Sequence, residues 1–292
     1  MKNLKFESPG TLLEVYTLLK GNEGKFCLIA GGTDLIIEMR QKRLKPETET
    51  LINIGLLNEL NYIREDNEFI FIGAGTTHSV LSENTLIRQY VSFLADAAKT
   101  IGSPQTRNRG TIGGNILTAA QCADTIPPLL VLNADLKLIS TNGERSVPIE
   151  EFFVSPKKTE IKPDEILVEI KIRKPDPSGR AVFKKLIRRK AVAKARINFS
   201  AFALQDSAGL IKDIRIAPGS VTPVHMRFHE AEDILRGKIP DLVLVKKTAE
   251  KVSEVMVGVT GRRWSTPFKE PVLKVMSERG LLEILEVENN GK

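Results

Sequence analysis

The sequence feature that most constrains the fold is a glycine-rich loop, Ala30 to Asp34 (AGGTD), set between an apolar run and a helical pattern. The segment KFCLIAGG (25–32) predicts a short buried strand, and TDLIIEMRQK (33–42) predicts a short helix capped by Thr33 or Asp34. Because glycine has no Cβ, its backbone can approach other atoms closely. The loop is therefore either a tight turn with a helix cap or a cradle for a ligand held by backbone groups.

A second glycine loop lies in IGSPQTRNRGTIGGNILTAAQCAD (101–124). Here Gly110, Gly113 and Gly114 allow backbone N–H groups to converge on an anion, and Thr111 and Asn115 add side-chain hydrogen bonds. Two such loops, one on each of two lobes, are able to hold a pyrophosphate between them.

Neither loop has the Gly-Lys-Ser/Thr of a P-loop, and neither has the G-x-G-x-x-G of a Rossmann fold. These mismatches argue against a NAD-binding domain of the usual kind. They favour a nucleotide that is bound extended across two lobes.

Apolar periodicity predicts a small α/β lobe over the first 56 residues, in the order strand, helix, strand, turn, strand. A strand, two glycines, two hydroxyls and a helix recur in EFIFIGAGTTHSVLSE (68–83). An amphipathic helix is then predicted over 90–103, ending at Gly102. The segment 129–149 predicts two strands around a turn at NADLKL with a hairpin at TNGE, and EILVEIKI (165–172) predicts the strand that closes this region.

The segment RKPDPSGR (173–180) is the best candidate for a linker, because it combines two prolines, a glycine and charges. Beyond it the patterns predict three alternating strands and then three helices, an α+β order. The strands are AVFKKLI (181–187), ARINFSAFALQD (195–206) and LIKDIRIAPGSV (210–221), and the helices are 229–237, 242–256 and 271–287.

The composition bounds the class of protein. A chain of 292 residues favours two domains. Its two cysteines, Cys27 and Cys122, exclude an iron–sulfur cluster held wholly by cysteines of this chain, and its three histidines lack zinc-site spacing. No apolar run is long enough for a membrane span, and the first residues do not form a secretory signal, so we expect a cytoplasmic protein.

The net charge of +7 is concentrated in two basic segments, 40–45 and 184–196. These segments are either solvated surface or contacts to phosphate groups or to an acidic partner. Aromatic residues make up only 5% of the chain, which does not favour nucleic-acid binding.

The ordered motifs resemble the FAD-binding, or medium, subunit of molybdenum hydroxylases of the xanthine dehydrogenase and carbon monoxide dehydrogenase type. The resemblance covers essentially the whole chain. It is carried by AGGTDL (30–35), IGAGTT (72–77), TIGGNILTAAQCAD (111–124), DEILVEIKI (164–172), FKKLIRR (183–189) and IRIAPGSVTP…AEDILRGK (214–238).

This resemblance implies an α+β fold, namely a two-lobed FAD-binding fold of the vanillyl-alcohol oxidase type followed by a small α+β C-terminal domain. The FAD-binding domain would cover 1–175, with lobes of about 1–56 and 57–175, and the C-terminal domain would cover 176–292.

The resemblance also implies the residues that bind FAD. The first loop and the second loop would hold the pyrophosphate and ribityl chain, Asp124 would accept a hydrogen bond, and Leu167 and Lys184 would lie near the cofactor. Ile101 stands where relatives can place an aromatic residue against the ring. The full set is Leu28, Ile29, Ala30, Gly31, Gly32, Thr33, Asp34, Leu35, Ile101, Gly110, Thr111, Ile112, Gly113, Gly114, Asn115, Asp124, Leu167 and Lys184.

Several residues of the chain also have a plain structural interpretation. Asp124 is otherwise a helix cap, and Lys184 and Arg188 are otherwise surface charges. Cys122 is interpreted as a small apolar filler, and Trp264 as a packing or interface anchor.

The implied function is that of an electron-transfer subunit. FAD would take electrons from iron–sulfur clusters of a small partner subunit, after a substrate such as a purine or another N-heterocycle is hydroxylated on a molybdopterin large subunit. NAD or another acceptor would receive the electrons, in a dimer of heterotrimers. No catalytic residue and no metal ligand is expected in this chain. The alternatives are a self-contained FAD-dependent oxidoreductase and a non-enzymatic nucleotide-binding module.

Overall fold

The chain folds around three main β-sheets. The computed structural model describes residues 4–21, 24–189 and 192–288. The first sheet is parallel, with strand order β1-β3-β2. Its elements are β1 (Lys5–Glu7), α1 (Leu12–Gly21), β2 (Phe26–Ile29), α2 (Leu35–Arg40) and β3 (Thr50–Asn53). This confirms the strand–helix–strand–turn–strand order that was predicted for the start of the chain.

The strand β2 lies at an edge of the first sheet, and its four residues are half-buried. The sequence predicted a buried strand here. Because β2 has only one neighbouring strand, its outer edge stays open, and the loop that follows it points out of the sheet into contact with the rest of the molecule.

The second sheet has five antiparallel strands in the order β4-β5-β10-β6-β7. A short 3-10 helix (Asn58–Leu60) precedes it. Its strands are β4 (Ile63–Glu65), β5 (Phe69–Gly73), β6 (Asp135–Ser140), β7 (Gly143–Pro148) and β10 (Ile166–Arg173). The strand β10 is the last of this region in chain order, as predicted. Within the sheet it is central, since it pairs on one side with β5 and on the other with β6.

Helices connect these strands and cover one side of the second sheet. They are α3 (His78–Glu83), α4 (Thr85–Tyr90), α5 (Ser92–Lys99), α6 (Pro104–Arg107), α7 (Ile112–Thr118), α8 (Ile126–Val131) and α9 (Ile149–Phe152), followed by a small hairpin of β8 (Phe153–Ser155) and β9 (Lys158–Thr159). The helix predicted over 90–103 is shorter than expected, because Gly102 (φ +46°) turns the chain after α5 and α6 begins at Pro104.

The prediction of two strands around a turn at NADLKL was wrong. The residues before it belong to α8, which carries Pro127 and Pro128 in its first turn, where the missing N–H groups cost nothing. Every residue of α8 is buried, so the helix is apolar all round and its sequence lacks the one-sided pattern of a surface helix. The hairpin at TNGE is confirmed by the pairing of β6 with β7.

The third sheet is antiparallel in the order β11-β12-β13, and three helices follow it, as the sequence predicted. Its elements are β11 (Arg180–Leu186), β12 (Ile197–Gln205), β13 (Ile211–Gly219), α10 (His229–Leu235), α11 (Leu242–Thr260) and α12 (Thr266–Leu285). Successive residues of β12 face opposite sides of the sheet. Phe199 packs in the core with α11 and α12, whereas Phe202 packs with the helical core of the second sheet.

A buried ion pair connects the third sheet to the second. The Glu232 carboxylate, with no exposed side-chain surface, accepts hydrogen bonds from Arg227 Nε at 3.0 Å, from Arg227 Nη2 at 2.7 Å and from Ile216 N at 2.8 Å. Arg227 also donates to Asn133 Oδ1 at 2.8 Å, and His229 contacts Glu150 at 2.7 Å. Through these bonds α10 holds the C-terminal part of the chain against the region between α8 and α9.

We predict that Glu232→Ala strongly destabilises the chain, because it leaves the Arg227 guanidinium buried without its carboxylate. Breaking one partner of a buried pair costs about 3–5 kcal/mol. Urea denaturation measures the loss. The neighbouring Asp233, whose side chain is 67% exposed, is the control, and Asp233→Ala should stay within about 0.5 kcal/mol of the wild type. Equal stability of the two variants would contradict this role.

Candidate functional site

The two glycine loops are in direct backbone contact. A Cβ built on Gly31 would lie 1.8 Å from the carbonyl oxygen of Arg109 and 2.9 Å from Gly110 Cα. A Cβ on Gly110 would in turn lie 3.4 Å from Thr33 Oγ1. Only glycine at position 31 allows this approach, so the first loop and the second loop meet at a point where side chains are excluded.

The second loop is fixed by a third loop, residues 74–77. Ile112 N donates to Thr76 O and Gly113 N donates to Ala74 O, both at 2.9 Å. A Cβ on Gly113 would lie 2.7 Å from Ala74 Cβ. The recurrence of glycines and hydroxyls in IGAGTT, noted in the sequence, thus corresponds to a third loop that holds the second loop in place through backbone hydrogen bonds.

Thr111 begins α7 and caps it with its own side chain, whose Oγ1 accepts a hydrogen bond from Gly114 N at 3.1 Å. In the first loop the side chains of Thr33 and Asp34 make no such cap, although both were predicted as candidates. Gly32 has a φ of +70°, which turns the loop into α2 and is tolerated because the residue is glycine.

Four backbone N–H groups of the first loop stay unpaired. Across the described ranges of the chain, the amides of Gly31, Gly32, Thr33 and Asp34 donate to no protein acceptor. Successive free amides around a left-handed glycine form a concavity that suits an anion. A diphosphate, which carries only acceptor oxygens, matches both this donor set and the side-chain-free contact between the loops.

Asp124 lies in a buried cluster that joins the loop between α7 and α8 to the third sheet. Its Oδ2 accepts a hydrogen bond from Lys185 Nζ at 2.6 Å, and its Oδ1 accepts one from Asn198 Nδ2 at 3.0 Å. The side chains of Asp124 and Lys185 are only 6% and 5% exposed. Burial raises the pKa of the Asp124 carboxyl, while the ammonium of Lys185 and the amide of Asn198 act in the opposite direction. Asp124 is therefore a bonded internal acceptor and not a helix cap.

Lys184 faces away from this cluster. It pairs with Glu283 of α12, whereas Lys185, the next residue of β11, reaches Asp124 and also donates to Thr100 O at 2.9 Å. Neighbouring residues of a strand point to opposite faces, so only one of the two lysines can reach Asp124. The sequence analysis named Lys184, whereas the structure brings its neighbour, Lys185, to Asp124.

The remaining predicted residues lie in several parts of the structure. Ile101 is half-buried and follows directly after Thr100, next to the Lys185 contact. Asn115 accepts a hydrogen bond from Thr125 Oγ1 at 2.7 Å, and Leu167 is buried in the core of the second sheet opposite Leu138. The stretch from Leu28 to Leu35 forms the end of β2, the first loop and the start of α2.

Sequence reasoning missed four residues at the site. Arg109 supplies the carbonyl that meets Gly31, Lys185 and Asn198 bind Asp124, and His78 packs against Gly110. The only sequence signal for Lys185 was its position next to Lys184 on a predicted strand, where neighbouring side chains point to opposite faces. The basic segment 184–196 bears exposed Arg188 and Arg189, and its residues 190 and 191 lie outside the described part of the chain.

Comparison with known proteins shows the family to which the chain belongs. Residues 2–175 match the model of the FAD binding domain in molybdopterin dehydrogenase, and residues 181–284 match the CO dehydrogenase flavoprotein C-terminal domain. The chain belongs to the FAD-binding medium subunits of the molybdenum hydroxylase family. It is therefore an FAD-binding oxidoreductase subunit with a mixed α/β fold, as the sequence resemblance predicted.

The similarity extends over nearly the whole length of its relatives. The chain is 31% identical to the nicotinate dehydrogenase FAD-subunit of Eubacterium barkeri over 98% of this chain and 97% of the relative. It is 30% identical to the xanthine dehydrogenase FAD-binding subunit of Escherichia coli, over 95% and 94% of the two chains. A solved carbon monoxide dehydrogenase from Hydrogenophaga pseudoflava superposes with a TM-score of 0.90 at 28% identity, covering 97% and 98%.

Two other kinds of site are absent from the described residues. Within them, no group of three or more His, Cys, Asp and Glu side chains is arranged to hold a metal ion. None of their helices has the length and apolar character needed to cross a lipid bilayer.

We predict that Gly31→Ala weakens FAD binding about ten- to hundredfold, because the added methyl group must push the first loop away from the Arg109 carbonyl. Titration of flavin-free protein with FAD measures the change. Gly258→Ala is the matched control, since a Cβ at Gly258 meets nothing within 4 Å. Unchanged affinity of Gly31→Ala would mean that the contact between the loops does not shape the FAD site.

We also predict that the two adjacent lysines of β11 differ in their contribution to stability. Lys185→Met leaves Asp124 buried and unpaired and should lower the free energy of unfolding by about 3–5 kcal/mol. Lys184→Met removes an exposed ion pair and should cost less than about 1 kcal/mol. Urea denaturation of both variants tests this, and equal losses would show that the Asp124 cluster is not a structural connection.

Proposed function

We propose that the chain is the electron-transfer subunit of a molybdenum hydroxylase complex. FAD bound here would receive electrons from iron–sulfur clusters of a small partner subunit and deliver them to NAD or another acceptor. The observation that carries the proposal is the backbone contact of the two glycine loops, with four unpaired amides beside it. The names of relatives, which include FAD-binding subunits of nicotinate and xanthine dehydrogenases, support it.

The proposed roles of the residues follow from their bonding. The amides of residues 31–34 would bind the diphosphate, and the capped start of α7 at Thr111 would bound the site from the other lobe. The bonded carboxylate of Asp124, held by Lys185 and Asn198, would keep a fixed charge pair at the edge of the cofactor site. When bound, FAD supplies the redox chemistry that these side chains lack.

Ile101 and Leu167 are proposed to exclude water near the flavin end of the site. Ile101 is half-buried beside the Asp124–Lys185 pair, and Leu167 is 2% exposed in β10. An aliphatic residue at 101 would shield the cofactor without stacking on it. Lys184 remains in the proposed set as a second cation on β11, beside the groove between β11 and α12.

The wider assembly is also proposed. The partners are an iron–sulfur small subunit and a molybdopterin large subunit, in a dimer of heterotrimers, with a purine or another N-heterocycle as the substrate of the complex. The chain divides near 175 into the two-lobed FAD domain and the α+β C-terminal domain. Both cysteines among the described residues are free thiols, which fits a cytoplasmic setting.

Purification of the full chain, alone and with its two partner subunits, tests the proposal. We expect one bound FAD per chain. We also expect that NADH reduces this FAD, which is seen as a loss of its visible absorbance. We expect reduction by an N-heterocycle such as nicotinate or xanthine only when both partner subunits are present.

Each other outcome points to an alternative. Turnover of the substrate by the isolated chain would favour a self-contained oxidoreductase. A colourless chain that binds no added FAD would favour a nucleotide-binding module without a redox role.

A further inference from the structure

An apolar groove on the C-terminal part of the chain continues into two exposed aromatic rings. The groove lies between β11 and α12 and has a volume of about 690 Å³. Its apolar walls are Leu186, Val272, Val275 and Met276. Phe268 lies one turn before Val272 on α12 and is 43% exposed, and Trp264, in the turn that leads into α12, is 89% exposed. Large apolar side chains grouped on a surface are typical of an interaction site.

Four cations lie beside these apolar side chains. They are Arg196, Arg263, Lys269 and Arg279. The Arg196 guanidinium lies 5.5 Å from the centre of the Phe268 ring, and Arg279 lines the groove. Among the residues that the structure describes, no carboxylate forms an ion pair with any of the four. The apolar surface is therefore bordered by positive charge that the chain itself does not neutralise.

Three of the cations are close enough to one another to interact. Burial, followed by the positive charges of Arg196 and Arg263, lowers the pKa of Lys269. Lys269 Nζ donates to the carbonyl oxygen of Ser220 at 2.5 Å, and this acceptor carries no charge. The cluster is thus held together against the mutual repulsion of its members, and a negatively charged partner would relieve that repulsion.

Other charged residues of the same region are paired. Arg262, next to Arg263 in the chain, contacts the Glu270 carboxylate at 3.1 Å. Glu283, the acidic residue among those that line the groove, pairs with Lys184. The surface around the groove therefore offers free cations and no free carboxylate to a partner, and its charge is complementary to an acidic surface.

The groove also adjoins the segment that follows α7. Lys185 lines the groove and donates to Asp124 Oδ2 at 2.6 Å. Ser220, which accepts the hydrogen bond from Lys269, donates its own N–H to the carbonyl of Gln121 at 2.9 Å. A protein bound at the groove would therefore contact residues that hold the loop between α7 and α8.

We propose that the groove between β11 and α12, together with Phe268 and Trp264, docks an acidic surface of a partner subunit. The inference rests on the proposed function, which supplies the partner subunits. Carboxylates of the partner would pair with the four cations, and an apolar side chain of the partner would fill the groove. Tryptophan, methionine and arginine are enriched at protein–protein interfaces. The apolar walls of the groove have no counterpart in a phosphate backbone, which favours a protein over a nucleic acid.

Assembly of the FAD-loaded full chain with its two partner subunits, measured by analytical ultracentrifugation at several salt concentrations, tests the proposal. Trp264→Ala should weaken assembly at least about 30-fold, as expected for an interface anchor. Arg263→Glu combined with Arg279→Glu should weaken it about 10- to 100-fold and reduce its dependence on salt. Val243→Ala and Lys247→Glu, both exposed on α11 and outside the groove, are the matched controls and should assemble as the wild type does.

The folding of the variants is checked separately. Trp264→Ala and the double arginine variant should bind FAD with wild-type affinity, because none of the changed residues contacts either glycine loop. Their urea denaturation midpoints should also match the wild type. A loss of assembly with both properties retained is then a loss of the docking surface.

A spectroscopic measurement on the wild type does not depend on any variant. The chain contains a single tryptophan, so labelling it with fluorotryptophan gives one fluorine NMR signal, at Trp264. In the free chain this signal should differ between light and heavy water, since the side chain is exposed. Addition of the unlabelled partner subunits should shift the signal and remove that solvent effect.

The proposal is overturned if the variants assemble as the wild type does, or if the fluorine signal stays solvent-sensitive in the assembled complex. It is also overturned if these residues instead bind a second copy of the chain or an oligonucleotide. In each case a wild type that binds FAD and assembles leaves the proposed function intact. A wild type that does not assemble with the partner subunits overturns the proposed complex, and this inference with it.

Discussion

The structure depends on one close contact, the approach of the Gly31 backbone to the carbonyl of Arg109. The first sheet delivers the first loop at the end of an edge strand, and the second sheet with its helices delivers the second loop. Because no side chain fits between them, what the two loops present to a ligand is backbone. A site built from backbone amides binds by charge and shape, and it suits a diphosphate, which every dinucleotide of this kind carries.

Electrostatic connections hold the remaining parts of the chain around that contact. Asp124 and Lys185 join the segment after α7 to the third sheet, and Glu232 and Arg227 join α10 to the region between α8 and α9. Buried ion pairs of this kind add little net stability over apolar residues, but they are costly to break on one side. Their effect here is to fix the position of the C-terminal part relative to the part of the chain that carries the two glycine loops.

Much of the fold could be predicted from local pattern. The alternating strands and long helices of the C-terminal part and the order of elements in the first sheet follow from periodicity. The pattern-based prediction was wrong at α8, because a helix that is buried on all sides has no amphipathic pattern and its sequence resembles that of a buried strand. It also failed to place β10 at the centre of its sheet, since strand order depends on contacts distant in sequence.

The candidate site could be predicted only in part for the same reason. The glycines predict that another group approaches the backbone closely. That this group is the Arg109 carbonyl depends on the tertiary structure and could not be predicted from the sequence. The choice between Lys184 and Lys185 depends on which face of β11 turns towards Asp124, and a shift of one residue reverses it.

A crystal structure of the full chain with FAD bound is the most direct test of the central claim. The account predicts diphosphate oxygens within hydrogen-bonding distance, about 3 Å, of amide nitrogens in residues 31–34. The Gly31 backbone should remain in contact with the Arg109 carbonyl in that complex. A diphosphate bound away from both glycine loops, or loops that separate when FAD binds, would contradict it.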